Sequence, residues 1–256
     1  MTDPGTARDR GLPPDAFTTD AWYTLIYLSD AEHHALGARR RRLWSAPFLE
    51  AGLSRADVVR LLERREGWLR REEARGRTPP VPEQVLQLAT WSGRRVDADA
   101  LAEALDRTLL RADVRVAPGA PEALRRLADL GVGLGVVSNV LNESGHVGRT
   151  ILDRLGLLPW FRAVYLSCEH RRSKPSPQPF RTVCRFLSAA PRTAIHLGDL
   201  AYDLEGARRA GMDAWWYVGL RRLNRYLPGQ VDARTVSASD VVRSWASVPA
   251  RFLRSR

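Results

Sequence analysis

Hydrophobic and polar positions divide this chain into stretches of different period. Residues 1–14, MTDPGTARDRGLPP, mix Pro, Gly and charges without an apolar repeat, the pattern of a disordered segment. AFTTDAWYTLIYL follows at 16–28. Its first half reads as a short strand, with Thr18 and Thr19 weakening the apolar signal. From about 29 to 115 the period is helical. LSRADVVRLLERREGWLRREEA opens on Ser54 and Asp57 in a capping-box arrangement, and Val58, Leu61, Leu62 and Leu69 then follow helical spacing. A Pro-rich break from Thr78 to Pro82 separates this helix from PEQVLQLATW. DADALAEALDRTLL then carries Leu101, Leu105 and Leu109 on one stripe. The block 29–115 is expected to be an α-helical insert without strands.

From residue 116 short apolar runs alternate with helical segments. PGAPEALRRLADLG has Pro121 at a helix start and Gly131 at its stop. GLGVVSN reads as a strand, TILDRLGL as a helix and AVYLS as a strand. In PFRTVCRFLSAA, Phe180, Val183, Cys184 and Leu187 fall at i, i+3, i+4 and i+7. TAIHLGD, DLEGARRAG and AWWYV continue as strand, helix and strand. This alternation predicts an α/β fold, a parallel sheet with helices on both faces. Such sheets bind ligands beyond the carboxyl ends of their strands. Asp20, Ser138, and Asp199 with Asp203 sit there. GVGLG at 131–135 mimics a dinucleotide fingerprint, but it lacks the third glycine and runs into a strand, so no nucleotide role is assigned to it.

Composition narrows the class. Apolar residues make up 44% of the 256 and charged residues 27%, the balance of a globular protein. No run approaches the roughly 20 apolar residues of a membrane span, and no signal peptide is evident. Cys168 and Cys184 form no CxxC pair, so neither a disulfide framework nor a zinc site is expected, and a cytoplasmic location is. Of the net charge of +11, +6 falls in residues 221–256. That basic segment reads as a solvated tail, or as a surface for an acidic partner. Zinc-finger spacing, an RNP-like aromatic motif and a basic heptad region are all missing, so nucleic-acid recognition is not expected. Among 40 Lys and Arg residues only Lys174 is a lysine. An ammonium is a compact point charge and guanidinium a broad fork, so an Arg-biased chain that keeps one lysine has a use for it.

Four segments in order now resemble the haloacid dehalogenase (HAD) superfamily: DAWYTL from Asp20, Ser138–Asn139 after a strand, SKPSPQPF with Lys174–Pro175, and GDLAYDLEGARRAGM with Asp199 and Asp203. Order and spacing are similar to the helical-cap branch (C1, subfamily I), and the resemblance covers roughly residues 16–220. It implies a Rossmann-like core from 15–28 and 116–220, a cap from 29–115, and the basic segment 221–256 beyond. It implies Asp20 as nucleophile, giving an aspartyl intermediate, and Lys174 as the cation that aligns it. Ser138 and the Asn139 N–H would bind the transferring group. Asp20 and Asp199, with the Trp22 carbonyl, would hold Mg²⁺, and Asp203 would orient the metal shell. Thr24 would fix the turn and donate to a site group. A small anionic substrate would meet Asn139, Trp22, Arg39 and Arg40. Asp199 and Asp203 would serve equally as a cap pair at the following helix N-terminus.

The pattern breaks at Trp22, where HAD phosphatases carry a second Asp that protonates the leaving alcohol. Indole cannot do acid–base work near neutral pH. Tyr23 stands where a Gly is usual, which puts the turn in doubt. Phosphonatases use a cap lysine, and this cap has none. Three readings remain. The first is a Mg²⁺-dependent phosphohydrolase or phosphoryl-transfer enzyme using a good leaving group, or an acid from the cap such as His33, His34 or the Arg39–Arg42 run. The second is a metal-independent, dehalogenase-like hydrolase or lyase. The third is a scaffold or regulatory protein without turnover. Trp44, Trp68 and Trp91 are candidates for an aromatic pocket or for the cap core.

Overall fold

The computed structural model describes residues 15–225, 227 and 229–255; the segment 1–14, expected to be disordered, lies outside them. Among the described residues there are eight strands: β1 (Ala16–Thr19), β2 (Ile26–Leu28), β3 (Val114–Val116), β4 (Gly133–Ser138), β5 (Ala163–Leu166), β6 (Ala194–Gly198), β7 (Asp213–Tyr217) and β8 (Val241–Val242). Six of them form one parallel sheet in the order β5-β4-β1-β6-β7-β8. The fold is therefore the expected α/β architecture, with β1 near the centre of the sheet.

Helices α1 (Asp30–Glu50), α2 (Arg55–Ala74), α3 (Val81–Ser92) and α4 (Ala98–Leu110) follow β2. Helices α5 (Ala120–Asp129), α6 (Gly145–Arg154), α7 (Ser167–His170), α8 (Gln178–Phe186), α9 (Ala201–Ala210), α10 (Arg221–Asn224) and α11 (Val248–Arg254) follow in chain order. No helix among the described residues is long and apolar enough to cross a membrane.

Side chains alternate across a strand, and this sorts the core into two layers. Phe17, Ile195, Leu197 and Trp215 pack with Leu124, Val147 and Phe252 on one face. Their neighbours Ala16, Ala194 and Trp216 pack with Phe180, Val183 and Leu204 on the other. Thr18 is buried on the second face, where it shares a hydrogen bond of 2.8 Å with His196 Nδ1. A polar residue in a buried strand thus has its partner on the adjacent strand.

The first four helices enclose a separate core of Trp44, Phe48, Leu61, Val85, Leu88 and Leu105. Ser54 caps α2 by accepting from Asp57 N at 3.2 Å. Two expectations need correction. The insert is not wholly without strands, because β3 begins at Val114 and pairs antiparallel with β2. The basic segment is not a solvated tail: β8 extends the sheet, and Trp245, Val248 and Phe252 are fully buried in the first core layer.

Candidate active site

Parallel strands deliver their carboxyl ends to one edge, and the motif residues arrive there together. Asp20 follows β1, Asn139 follows β4 and Asp199 follows β6. Asp20 N–H donates to Leu197 O at 2.9 Å, continuing the β1–β6 ladder one residue past the strand. Lys174 comes from the loop before α8. It is 1% exposed and held from both sides: its N–H donates to Asn139 Oδ1 at 2.9 Å, and its carbonyl accepts from Asn139 Nδ2 at 3.1 Å. Its Nζ lies 2.5 Å from Asp20 Oδ1, 2.5 Å from Asp203 Oδ1 and 3.1 Å from Val137 O.

Asp203 sits on the first turn of α9 and also accepts from Leu200 N at 2.9 Å, so the capping role and the site role coexist in one carboxylate. Gly198 makes this possible. A Cβ at that position would lie 2.4 Å from Asp203 Cβ, so only glycine allows the close approach. Asp199 accepts from Thr24 Oγ1 at 3.0 Å and from Asn224 Nδ2 at 2.6 Å, and its carbonyl accepts from Trp216 Nε1 at 3.1 Å. Asn224 belongs to the basic C-terminal segment, so that segment completes the shell of an acidic site residue.

One carboxyl oxygen from each of Asp20, Asp199 and Asp203 lies within 4.8 Å of the other two, and all three residues are buried. One ammonium cannot neutralise three carboxylates. Burial raises Asp20 to about 6, against the pull of Lys174. Burial and the two neighbouring carboxylates push Asp199 well above the ordinary range. For Asp203 burial acts upward too, but Lys174 and His196 outweigh it and hold the group at about 2. Burial alone would lower Lys174; Asp20 and Asp203 instead raise it above the usual lysine value.

The turn after Asp20 forms despite Tyr23. Leu25 and Ile26 N–H both donate to Ala21 O, at 2.9 and 2.8 Å. Tyr23 accommodates the turn with φ at +57°, a left-handed conformation that costs an L-residue about 1–2 kcal/mol. Its ring is buried, and its hydroxyl shares a hydrogen bond of 2.6 Å with His33 Nδ1.

A cavity of about 420 Å³ opens between this floor and the four-helix cap. Asp20, Trp22, Asn139 and Lys174 line it from the core, and His33, Arg40, Trp44 and Arg65 from the cap. Arg39 does not reach it. Consecutive residues on a helix project about 100° apart, and Arg39 turns to Glu32 at 2.5 Å while Arg40 enters the cavity and pairs with Glu143 at 2.7 Å. Trp68 and Trp91 pack edge to face 5.9 Å apart, away from the lining. Ser138 is buried at the end of β4, and its hydroxyl has no partner among the described residues.

Sequence reasoning passed over Glu73. Four carboxyls line the cavity: Asp20, Glu66, Glu73 and Glu143. Asp20 pairs with Lys174, Glu66 with Arg70 at 3.9 Å and Glu143 with Arg40. Among the described residues Glu73 alone of the four has no ion pair. It accepts from Asn139 Nδ2 at 3.0 Å, and burial raises its pKa above the ordinary glutamate value.

A phosphoglycolate phosphatase from Aquifex aeolicus is 33% identical over 130 residues, 49% of this chain and 57% of the relative. An N-acetylmuramic acid 6-phosphate phosphatase from Pseudomonas aeruginosa is 30% identical over 149 residues, 52% of this chain and 65% of the relative. The chain thus spans between half and two thirds of the length of these curated relatives. A 2-haloacid dehalogenase structure from Pseudomonas syringae pv. Tomato superposes with a TM-score of 0.66 at 21% identity, covering 95% of this chain and all (100%) of the other. That likeness is one of fold. Residues 14–211 match the family model of the haloacid dehalogenase-like hydrolases, and the chain belongs to that family.

Proposed function

We propose that the protein is a Mg²⁺-dependent phosphohydrolase that transfers a phosphoryl group through an aspartyl intermediate at Asp20, acting on a small anionic substrate. One observation carries the reading. On the floor of the cavity Asp20 is ion-paired with the chain's single lysine, and Asp199 and Asp203 crowd the same point. The phosphatase relatives support it.

Three buried carboxylates facing one ammonium form an oxygen-rich, net negative pocket, and that fits a hard divalent cation. Asp20 and Asp199, with the Trp22 carbonyl, would hold Mg²⁺, and Asp203 would orient them. When bound, the ion would supply positive charge that offsets the negative charge of the nucleophile and the phosphoryl group. The remaining work falls to the chain. Lys174 aligns the Asp20 carboxylate for attack on phosphorus. The Ser138 hydroxyl, without a partner among the described residues, donates to the transferring group.

Trp22 cannot protonate the leaving oxygen. In this reading Glu73 does so as the phosphorus–oxygen bond breaks. Its carboxylate then takes a proton from the water that attacks the aspartyl phosphate, which frees Asp20 and inorganic phosphate. Cys168 and Cys184 are both free thiols, in keeping with a reducing compartment such as the cytoplasm.

The test is turnover of acetyl phosphate and p-nitrophenyl phosphate, with Mg²⁺ and with chelator, beside Asp20→Asn. Mg²⁺-dependent turnover that vanishes in Asp20→Asn is expected. Equal rates in parent and Asp20→Asn would overturn the assignment of Asp20. No turnover of either substrate would overturn the phosphohydrolase reading.

A further inference from the structure

The cap wall of the cavity contains a buried cation with no counterion among the described residues. Arg65 on α2 is 7% exposed, and its guanidinium lies 3.8 Å from the ring centre of Trp44. Its Nε and one terminal nitrogen donate to Gln84 Oε1 at 2.8 and 2.5 Å, and the same terminal nitrogen donates to Asn142 Oδ1 at 2.8 Å. Both acceptors are neutral. Gln84 is locked in place, because its Nε2 donates to Pro79 O at 2.8 Å and to Leu141 O at 2.7 Å. The scaffold therefore aims and holds the guanidinium without neutralising it.

No charged group pairs with Arg65 among the described residues. Glu143 is committed to Arg40, and Glu66, the next residue on α2, adds favourable charge but is more than half exposed, lies against Arg70 and makes no ion pair with Arg65. Arg40 and Arg41 line the same wall and add positive charge. A buried charge is ordinarily paired, and a planar fork is suited to carboxylate or phosphate oxygens. Asp20 and Lys174 thus occupy the core end of the cavity, while Arg40, Arg41 and Arg65 gather at the cap end, where α2 also contributes Glu66 and Glu73.

We propose that the cap end is a second anion subsite centred on Arg65, and that the substrate is a phosphate monoester whose leaving alcohol carries a further carboxylate or phosphate. This rests on the phosphohydrolase reading for the core end, while the Arg65 subsite stands on its own geometry. A ligand anion there supplies the counterion that the fold omits, while the Trp44 ring packs against the guanidinium.

The experiment compares propyl phosphate, the phosphate monoester of hydroxypropionate and propanediol bisphosphate, with Mg²⁺, in the parent, Arg65→Met and Arg65→Lys. The two anionic-tailed esters are expected to exceed propyl phosphate in kcat/KM, and Arg65→Met is expected to remove about 100-fold more from them than from propyl phosphate. Whichever tail loses more in Arg65→Met identifies the anion as carboxylate or phosphate. Arg65→Lys keeps the charge without the fork, and a partial loss is expected from it even where Arg65→Met folds poorly. A readout independent of turnover is the rise in melting temperature that propanediol bisphosphate gives Asp20→Asn, expected to disappear in Asp20→Asn with Arg65→Met. Equal losses for all three esters, or an undiminished melting-temperature rise, overturn the subsite while the phosphohydrolase reading stands. An Arg65-dependent rise without turnover of any ester supports the subsite and removes the phosphohydrolase reading.

Discussion

Trp245 donates its indole N–H to the carbonyl of Thr24 at 2.7 Å, joining residues 221 positions apart. Thr24 in turn donates its hydroxyl to Asp199. The C-terminal segment therefore braces the turn that carries Asp20, and Asn224 grips Asp199 from the same segment. Trp245→Phe keeps most of the packing against Phe17 and Tyr217 but leaves the Thr24 carbonyl unsatisfied. A loss of about 1–3 kcal/mol in urea unfolding is expected. An unchanged urea midpoint would show that the bond does not brace the turn.

Lys174 is the only ammonium between Asp20 and Asp203. Lys174→Gln is expected to abolish phosphoryl transfer and to destabilise the protein by roughly 3–5 kcal/mol at pH 7.5, because buried carboxylates lose their partner. The penalty should shrink near pH 5, where Asp20 takes up a proton. A penalty equal at both pH values would mean that packing, rather than charge, accounts for it.

The metal-free protein should gain stability as pH falls from 7 toward 4. Folded Asp20 holds its proton up to about 6, against an ordinary value of 3.8, and Asp199 is shifted the same way. At these two carboxyls the folded state binds more protons over that interval than the unfolded state, so their acidification favours folding and outweighs the opposite pull of His33 and His196, whose pKa values burial lowers. Asp203 acts oppositely but lower down. Its folded value of about 2 gives stability that is complete above 3.8 and lost below it. Melting temperatures across pH, with chelator and with Mg²⁺, check this. Mg²⁺ should flatten the slope by competing with the protons, and a chelated protein that is more stable at pH 7 than at pH 5 would refute it.

Glu73→Gln should reveal its role through the leaving group. Turnover of an alkyl phosphate is expected to fall by about 100-fold or more, and that of acetyl phosphate, which leaves without a proton, far less. Adding Trp22→Asp should restore alkyl phosphate turnover in part. Equal losses on both substrates would place Glu73 among the residues that merely shape the cavity.

The strand-end residues were legible because, in an alternating α/β pattern, a short apolar run that stops at a small polar residue marks the carboxyl end of a buried strand. Asp20, Ser138 and Asp199 follow that rule. Glu73 does not stand out, because its neighbour Glu72 belongs to the same charged helix and pairs its carboxylate with Arg75 and Arg77. Only the direction in which each side chain leaves α2 separates the two. Arg39 and Arg40 were indistinguishable for the same reason. In the C-terminal segment net charge hid an apolar pattern that was present: Trp245, Val248 and Phe252 fall at i, i+3 and i+7, the spacing of a buried helical face. Asn224 has no such signal, because its partner Asp199 is remote in sequence.

The burial of Lys174 has a practical side. No other lysine exists in the chain, and this one is 1% exposed beneath the cap. Acylating reagents that modify surface lysines of ordinary proteins will find none on the folded molecule. Acylation at Lys174 then becomes a clock for exposure of the cavity floor, and a ligand seated on that floor is expected to slow it.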